Sequence, residues 1–103
     1  MENRLSLGGE LTQAPQIRYS PAGIPIARFT LRHRSMQLEA GSERRAECLI
    51  SVVATGKALM ATIQGLDAGH SVLVHGFLSR SNYREEYRLE LHAERIEPLL
   101  SET

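Results

Sequence analysis

The chain of 103 residues is short of several things that functions depend on. It has one cysteine, Cys48, so no intramolecular disulfide can form, and a reducing cytoplasm suits it better than secretion. No run approaches the roughly twenty apolar residues of a membrane span, and the opening Met1-Glu2-Asn3-Arg4-Leu5-Ser6 lacks the basic start and apolar stretch of a signal peptide. The expectation is a soluble, cytoplasmic protein. Tryptophan is absent and aromatics make up 5% of the residues, so flat surfaces on which a base stacks are scarce. The formal net charge is zero, which makes global steering of a charged ligand weak and requires any charged surface to arise by local segregation. Lysine occurs once, at Lys57, and every other basic residue is arginine. Arginine offers a planar fork for phosphate and a flat face for bases, which lysine lacks. The length suits one domain spanning residues 1–103 and excludes a large multi-domain enzyme.

Against these absences, the most informative stretch runs from Ile17 to Leu31. Ser20-Pro21-Ala22-Gly23 has the ingredients of a turn: proline presets one φ, glycine accepts a positive one, and serine hydrogen-bonds the local backbone. A strand therefore arrives and another leaves. On the leaving strand a period of two puts Ala27, Phe29 and Leu31 on one face and Arg28, Thr30, Arg32 and Arg34 on the other.

Five strands and one helix follow from the patterning. The first strand runs from about Asn3 to Thr12, with Gly8-Gly9 marking a bulge or sharp bend. The second spans Pro25 to Gln37, and a polar segment, Leu38 to Arg44, follows it and reads as a mobile loop. The third covers Arg45 to Thr55, with Cys48, Ile50, Val52 and Ala54 in its apolar phase, so Cys48 is expected to be a buried thiol. Gly56 to Leu66 reads as a short helix with Leu59, Ile63 and Leu66 on one face. The fourth strand, Ser71 to Ser81, is apolar on both phases, and Gly76 permits a bend. After the loop Asn82-Tyr83-Arg84-Glu85-Glu86, the fifth strand sets Tyr87, Leu89, Leu91 and Ala93 against Arg88, Glu90, His92 and Glu94. Ile96 falls out of phase, which predicts a bulge near Glu94. Three strands, a helix and two strands is the order of the OB-fold, an all-β five-stranded Greek-key barrel that binds oligonucleotides across its strand 2 to 3 face.

The chain resembles bacterial single-stranded-DNA-binding proteins, and more closely the primosomal replication protein N (PriB) family. Asn3-Arg4-Leu5, Ala14-Pro15, the stretch from Ser20 to Pro25, and Phe29-Thr30-Leu31 fit both. His33-Arg34-Ser35 with Gln37 and Glu39-Ala40-Gly41, then Val74-His75-Gly76-Phe77 with Ser79, then Leu91-His92-Ala93-Glu94 favour PriB. The resemblance implies an OB-fold homodimer that binds single-stranded DNA in replication restart and joins the PriA helicase and the DnaT protein so that the replicative helicase is reloaded. The same resemblance implies that a coating protein of the first group carries a long extension ending in an acidic, partner-recruiting peptide; with the sequence read as stopping just after its last strand, a coating protein of that kind is not the expectation.

Binding a single strand without reading its sequence needs cations for phosphates and flat groups for bases. The candidates are Arg18, Tyr19, Arg28, Arg32, Arg34, Arg44, Arg45, Arg80, Tyr83, Arg84 and Arg88. DNA-contacting positions of the PriB family carry over to Arg18 and Arg34, and to Arg80, Arg84 and Arg88 in a shorter loop. Each arginine has the alternative of pairing with a glutamate such as Glu43, Glu85, Glu86 or Glu90. Tyr83 is the stacking candidate, whereas Tyr87 falls in the apolar phase and is expected in the core with its hydroxyl at a rim. Where family members carry aromatics this chain has Ser42 and Glu47, and Glu47 should repel phosphate, so the expected DNA binding is weak and carried by arginine.

No metal is expected, since His33, His75 and His92 sit in no ligand-spaced motif. No cofactor-binding glycine loop or activated serine occurs either, so an enzyme is not expected. Two alternatives remain beside the leading reading: a stand-alone short single-stranded-DNA-binding protein, and a protein adaptor with little DNA affinity.

Overall fold

The computed structural model describes residues 1–82, 84 and 87–99. The elements are β1 (Leu5–Leu11), β2 (Gln16–Tyr19), β3 (Pro25–Glu39), β4 (Ser42–Thr55), a 3-10 turn (Lys57–Leu59) leading into α1 (Met60–Gln64), β5 (Ser71–Arg80) and β6 (Leu89–Leu99). Strands β1, β3, β4, β6 and β5 close into a ring, because β1 pairs with β5 along most of its length and turns at its end to meet β3 through Glu10↔Arg32 and Leu11↔Leu31. All ring pairings are antiparallel except β4 with β6. This is the OB-fold barrel expected from the order of elements.

The glycines of β1 serve the bend. A Cβ on Gly9 would lie 2.5 Å from the Arg32 carbonyl oxygen and 2.9 Å from Leu31 Cγ, so only glycine lets β1 press against β3. The Ser20 turn forms as read: the Gly23 N–H donates to the Ser20 carbonyl at 2.8 Å and the Ile24 N–H to Ser20 Oγ at 3.1 Å. The strand entering it is β2, a sixth strand on the outer edge of β3.

Period-two reasoning locates the core. Ala27, Phe29 and Leu31 are buried with Leu11, Val52, Ala54, Val72, Val74, Leu91 and Ile96, and α1 covers the barrel with Met60 and Ile63, joined by Leu66. A fully buried Leu, Val or Phe side chain contributes about 1.5–3 kcal/mol. Glu94 is the bulge residue anticipated on the last strand, since His75 pairs with Arg95 and Gly76 with Ala93.

Four expectations need correction. Most of the segment read as a mobile loop is strand: β3 and β4 stay paired from Ile26↔Thr55 to Glu39↔Ser42, leaving only Ala40-Gly41 as the turn. Both have positive φ, +52° and +80°, the mark of a tight type I′ hairpin turn. Cys48 is exposed, because beyond Ile50 the hairpin leaves the barrel and its inward phase no longer faces a core. Tyr87 precedes β6 and is fully exposed, while Glu90 is the buried residue of that region at 6%. On β5 only one phase, Val72, Val74 and Gly76, is fully buried.

Ala40 makes the hairpin tip testable. An alanine at positive φ is disfavoured by roughly 1–2 kcal/mol, whereas glycine costs about 0.5–1 kcal/mol in chain entropy. Ala40→Gly is therefore expected to raise amide-exchange protection across residues 38–43 by up to about 1 kcal/mol. Unchanged or lower protection would contradict the strain.

Candidate nucleic-acid interface

The outward face of the barrel follows from register, because residues directly opposite one another in neighbouring strands project to the same side. Arg28, Arg32 and Arg34 are exposed on the outward phase of β3. Arg18 lies opposite Ile26, which places it in that phase, and Arg45 joins from β4, opposite Met36. From Ile26 to Met36 the strand rises about 33 Å at roughly 3.3 Å per residue. One face thus carries Arg18 at one end, Arg28 and Arg32 along its middle, and Arg34 and Arg45 on the projecting hairpin.

Arg44 is the exception among the hairpin arginines. It lies opposite Gln37, on the other face, and pairs with Glu39 at 3.2 Å. Tyr19 is exposed at the end of β2, opposite Pro25 and out of phase with Arg18.

Because β4 and β6 are parallel, with Ser51 opposite Glu90, the start of β6 points toward the hairpin end of the molecule. The end of β5 and the start of β6 therefore lie on the same side as the hairpin. Arg80 closes β5 opposite Leu89, the Arg84 N–H donates to Asn82 Oδ1 at 2.8 Å, and the Ser81 N–H donates to the Arg88 carbonyl at 2.8 Å. Tyr83 lies outside the described residues, as do Glu85 and Glu86.

The arginines differ in what neutralises them. Arg28 Nη1 donates to Glu90 Oε2 at 2.5 Å, and the Glu90 side chain is only 8% exposed. Leaving that carboxylate alone would strand a buried charge, so Arg28 is held in place. Arg45 pairs with Glu47 at 3.8 Å, and this pair, like Arg44–Glu39, is exposed on both sides. Such pairs are worth about 0.2–1 kcal/mol, and a phosphate can displace either carboxylate. Among the described residues no carboxylate lies within ion-pair distance of Arg18, Arg32 or Arg34, although Glu47 stands directly opposite Arg34. Arg34 also lines three grooves: one of about 310 Å³ with Gly8, Gly9, Arg32 and His33, one of about 390 Å³ on the hairpin with Met36, Arg45 and Glu47, and one of about 190 Å³ with Arg32, Glu47, Cys48 and Leu49.

The strand histidines make local contacts. The Gly8 carbonyl can only accept, so His33 Nδ1 donates to it at 2.6 Å and Nε2 accepts from Ser35 Oγ at 2.7 Å, tying β3 to β1. Arg95 Nη2 donates to His75 Nε2 at 3.1 Å, which leaves Nδ1 to donate to Ser6 Oγ at 2.6 Å. Among the described residues no three His, Cys, Asp or Glu side chains converge on a metal position, and none of the helices is long and apolar enough to cross a membrane.

Sequence reasoning missed two features of this face. Glu90 sits in the polar phase of an alternating strand, which reads as solvent-facing, and its burial depends on Arg28 arriving from β3. Phe77 and His92, paired across β5 and β6, stack with ring centroids 5.1 Å apart on the outward face. No local pattern in either strand reports that contact.

Comparison with known proteins gives a consistent result. A family model described as "Another single-strand binding protein family" matches residues 3–95. The replication restart protein PriB of Serratia proteamaculans (strain 568) is 43% identical over 96 residues, 92% of this chain and 91% of that protein. The solved structure of PriB from Ralstonia solanacearum superposes with a TM-score of 0.81 at 28% identity, covering 95% of this chain and 98% of that one. The single-stranded DNA binding protein of Thermus aquaticus gives 0.78 at 28% identity, covering 96% of this chain and 50% of that one.

Proposed function

The chain belongs to the PriB replication restart proteins, within a single-strand binding protein family, and from that membership we propose that it binds single-stranded DNA as an accessory of replication restart. The observation that carries the reading is the outward face on which Arg18, Arg32 and Arg34 stand without carboxylate partners among the described residues. Arg45 and the arginines of the β5–β6 connection flank it at the hairpin end. A single strand laid along β3 meets phosphate-binding forks at intervals. In this reading the protein works in the cytoplasm, bridging PriA helicase, DNA and DnaT while the replicative helicase is reloaded.

In the same reading it works as a homodimer. Residues 5–7 of β1 pair only with β5, so their other edge has no strand partner among the described residues and supports pairing with a second copy. The domain extends over residues 1–103.

A second reading, a protein adaptor with little DNA affinity, draws on Glu47 amid the arginines and on Met36, Leu38 and Leu49, which are exposed on the outward face of the hairpin. Titration of a fluorescent oligonucleotide across salt concentrations, with molar mass measured alongside, separates the readings. The expected slope of log K against log salt is about −2 to −4, from three to five phosphate contacts at roughly 0.7 each. The expected mass is twice the 11.5 kDa of one chain. A nearly flat slope would leave the adaptor.

A further inference from the structure

We propose that the stacked rings of Phe77 and His92 form a base-stacking platform on the outer sheet, an inference that rests on the single-strand-binding reading above. Four observations place the platform. Phe77 is 37% exposed although the barrel has a core for aromatics, as Phe29 at 4% shows. The two rings are a directly opposed cross-strand pair with planes within 4° of parallel, so each holds the other in a fixed orientation. His92 lies opposite Val53 and Val53 opposite Arg28, which sets Arg28, Val53, His92 and Phe77 in one transverse row on the outward face. Glu90 fixes Arg28 at the other end of that row.

The chemistry matches a nucleotide. β3 and β6 are two strand spacings apart, about 10 Å, with the short side chain of Val53 between them. A phosphate on the Arg28 fork leaves its base over the rings, where it continues a pile already two rings deep. Both rings stand on strands of the closed barrel, so the platform is ordered before the ligand arrives, and stacking is tolerant of base identity because every base has a π-face.

Binding of a fluorescent oligo-dT and of an abasic oligomer of equal length tests the platform. Phe77→Leu is expected to weaken oligo-dT binding about ten-fold, to leave the abasic oligomer unaffected, and to leave the salt slope unchanged because no phosphate contact is lost. Phe77→Trp introduces the only tryptophan of the chain. Its emission is expected to be quenched by oligo-dT and not by the abasic oligomer. Native affinity of Phe77→Leu for oligo-dT, or an unquenched Phe77→Trp at saturating oligo-dT, overturns the platform while the single-strand-binding reading stands. If the native protein binds neither oligomer at any salt concentration, that reading itself fails. Circular dichroism and thermal unfolding of both variants show whether the fold is kept; if Phe77→Leu is unfolded, the quenching result decides.

Discussion

Gly76→Ala is expected to lower stability by about 3 kcal/mol or more, or to prevent folding altogether. A Cβ at this position would lie 1.8 Å from the His92 carbonyl oxygen and 2.9 Å from its carbonyl carbon. Both atoms are backbone, so no rotamer change relieves the clash. Overpacking that side chains can absorb costs about 1–3 kcal/mol, and here the strand itself must move. It cannot move freely, because β5 and β6 pair from Ser71↔Leu99 to Arg80↔Leu89 and their bulge at Glu94 lies beside this contact. Separating them opens the barrel and displaces Phe77 from His92. Gly8→Ala is the control: its Cβ would meet nothing closer than 3.8 Å, and it is expected to change stability by about 0.5 kcal/mol or less. Urea unfolding of the two variants measures the difference. Equal effects would mean that loss of glycine, and not crowding at His92, is responsible.

Most of the barrel was legible because its strands report their own environment. β3 alternates cleanly, with Ala27, Phe29 and Leu31 facing a core and Arg28, Arg32 and Arg34 facing solvent. The Ser20 turn, the Gly8-Gly9 bend and the Glu94 bulge each leave a local mark, in turn chemistry, in the absence of a side chain, or in a broken phase. The hairpin was not legible, since the outer parts of β3 and β4 support only each other. With no core beneath them, Ser35, Gln37, Ser42 and Arg44 carry no apolar signal, and the segment reads as a loop. The same departure from the barrel misplaced Cys48: its phase is apolar, but at Cys48 there is nothing left to bury it. Tyr87 failed for a related reason, as the alternation of β6 does not extend to it. At the site, the arginines were legible as residues but their partners were not. Glu90 with Arg28 and Phe77 with His92 are contacts between strands far apart in sequence, and only the register of the closed sheet brings them together.

Replacing Arg32, Arg34 and Arg45 together by alanine is expected to reduce oligonucleotide affinity roughly a hundred-fold at about 50 mM salt and to make the salt slope shallower by about 2. The three stand on one face of β3 and β4, and Arg34 and Arg45 share a groove with Glu47. Each neutralised phosphate of a single strand releases about 0.7 of a counterion, so removing three contacts subtracts a predictable slope. The fold should tolerate the change, because all three side chains are exposed and the one ion pair they make among the described residues, Arg45–Glu47, is a surface pair. Glu47→Gln supplies the opposite sign. It removes a carboxylate standing opposite Arg34 and releases Arg45, so affinity should rise several-fold and the slope steepen. Together the two variants separate DNA binding from an adaptor role on the same surface. If the triple variant binds DNA like the native chain but no longer retains partner proteins in a pull-down, the hairpin arginines serve protein docking. If affinity and slope fall together, and Glu47→Gln moves both the other way, the outward face of the hairpin is the track along which phosphates bind.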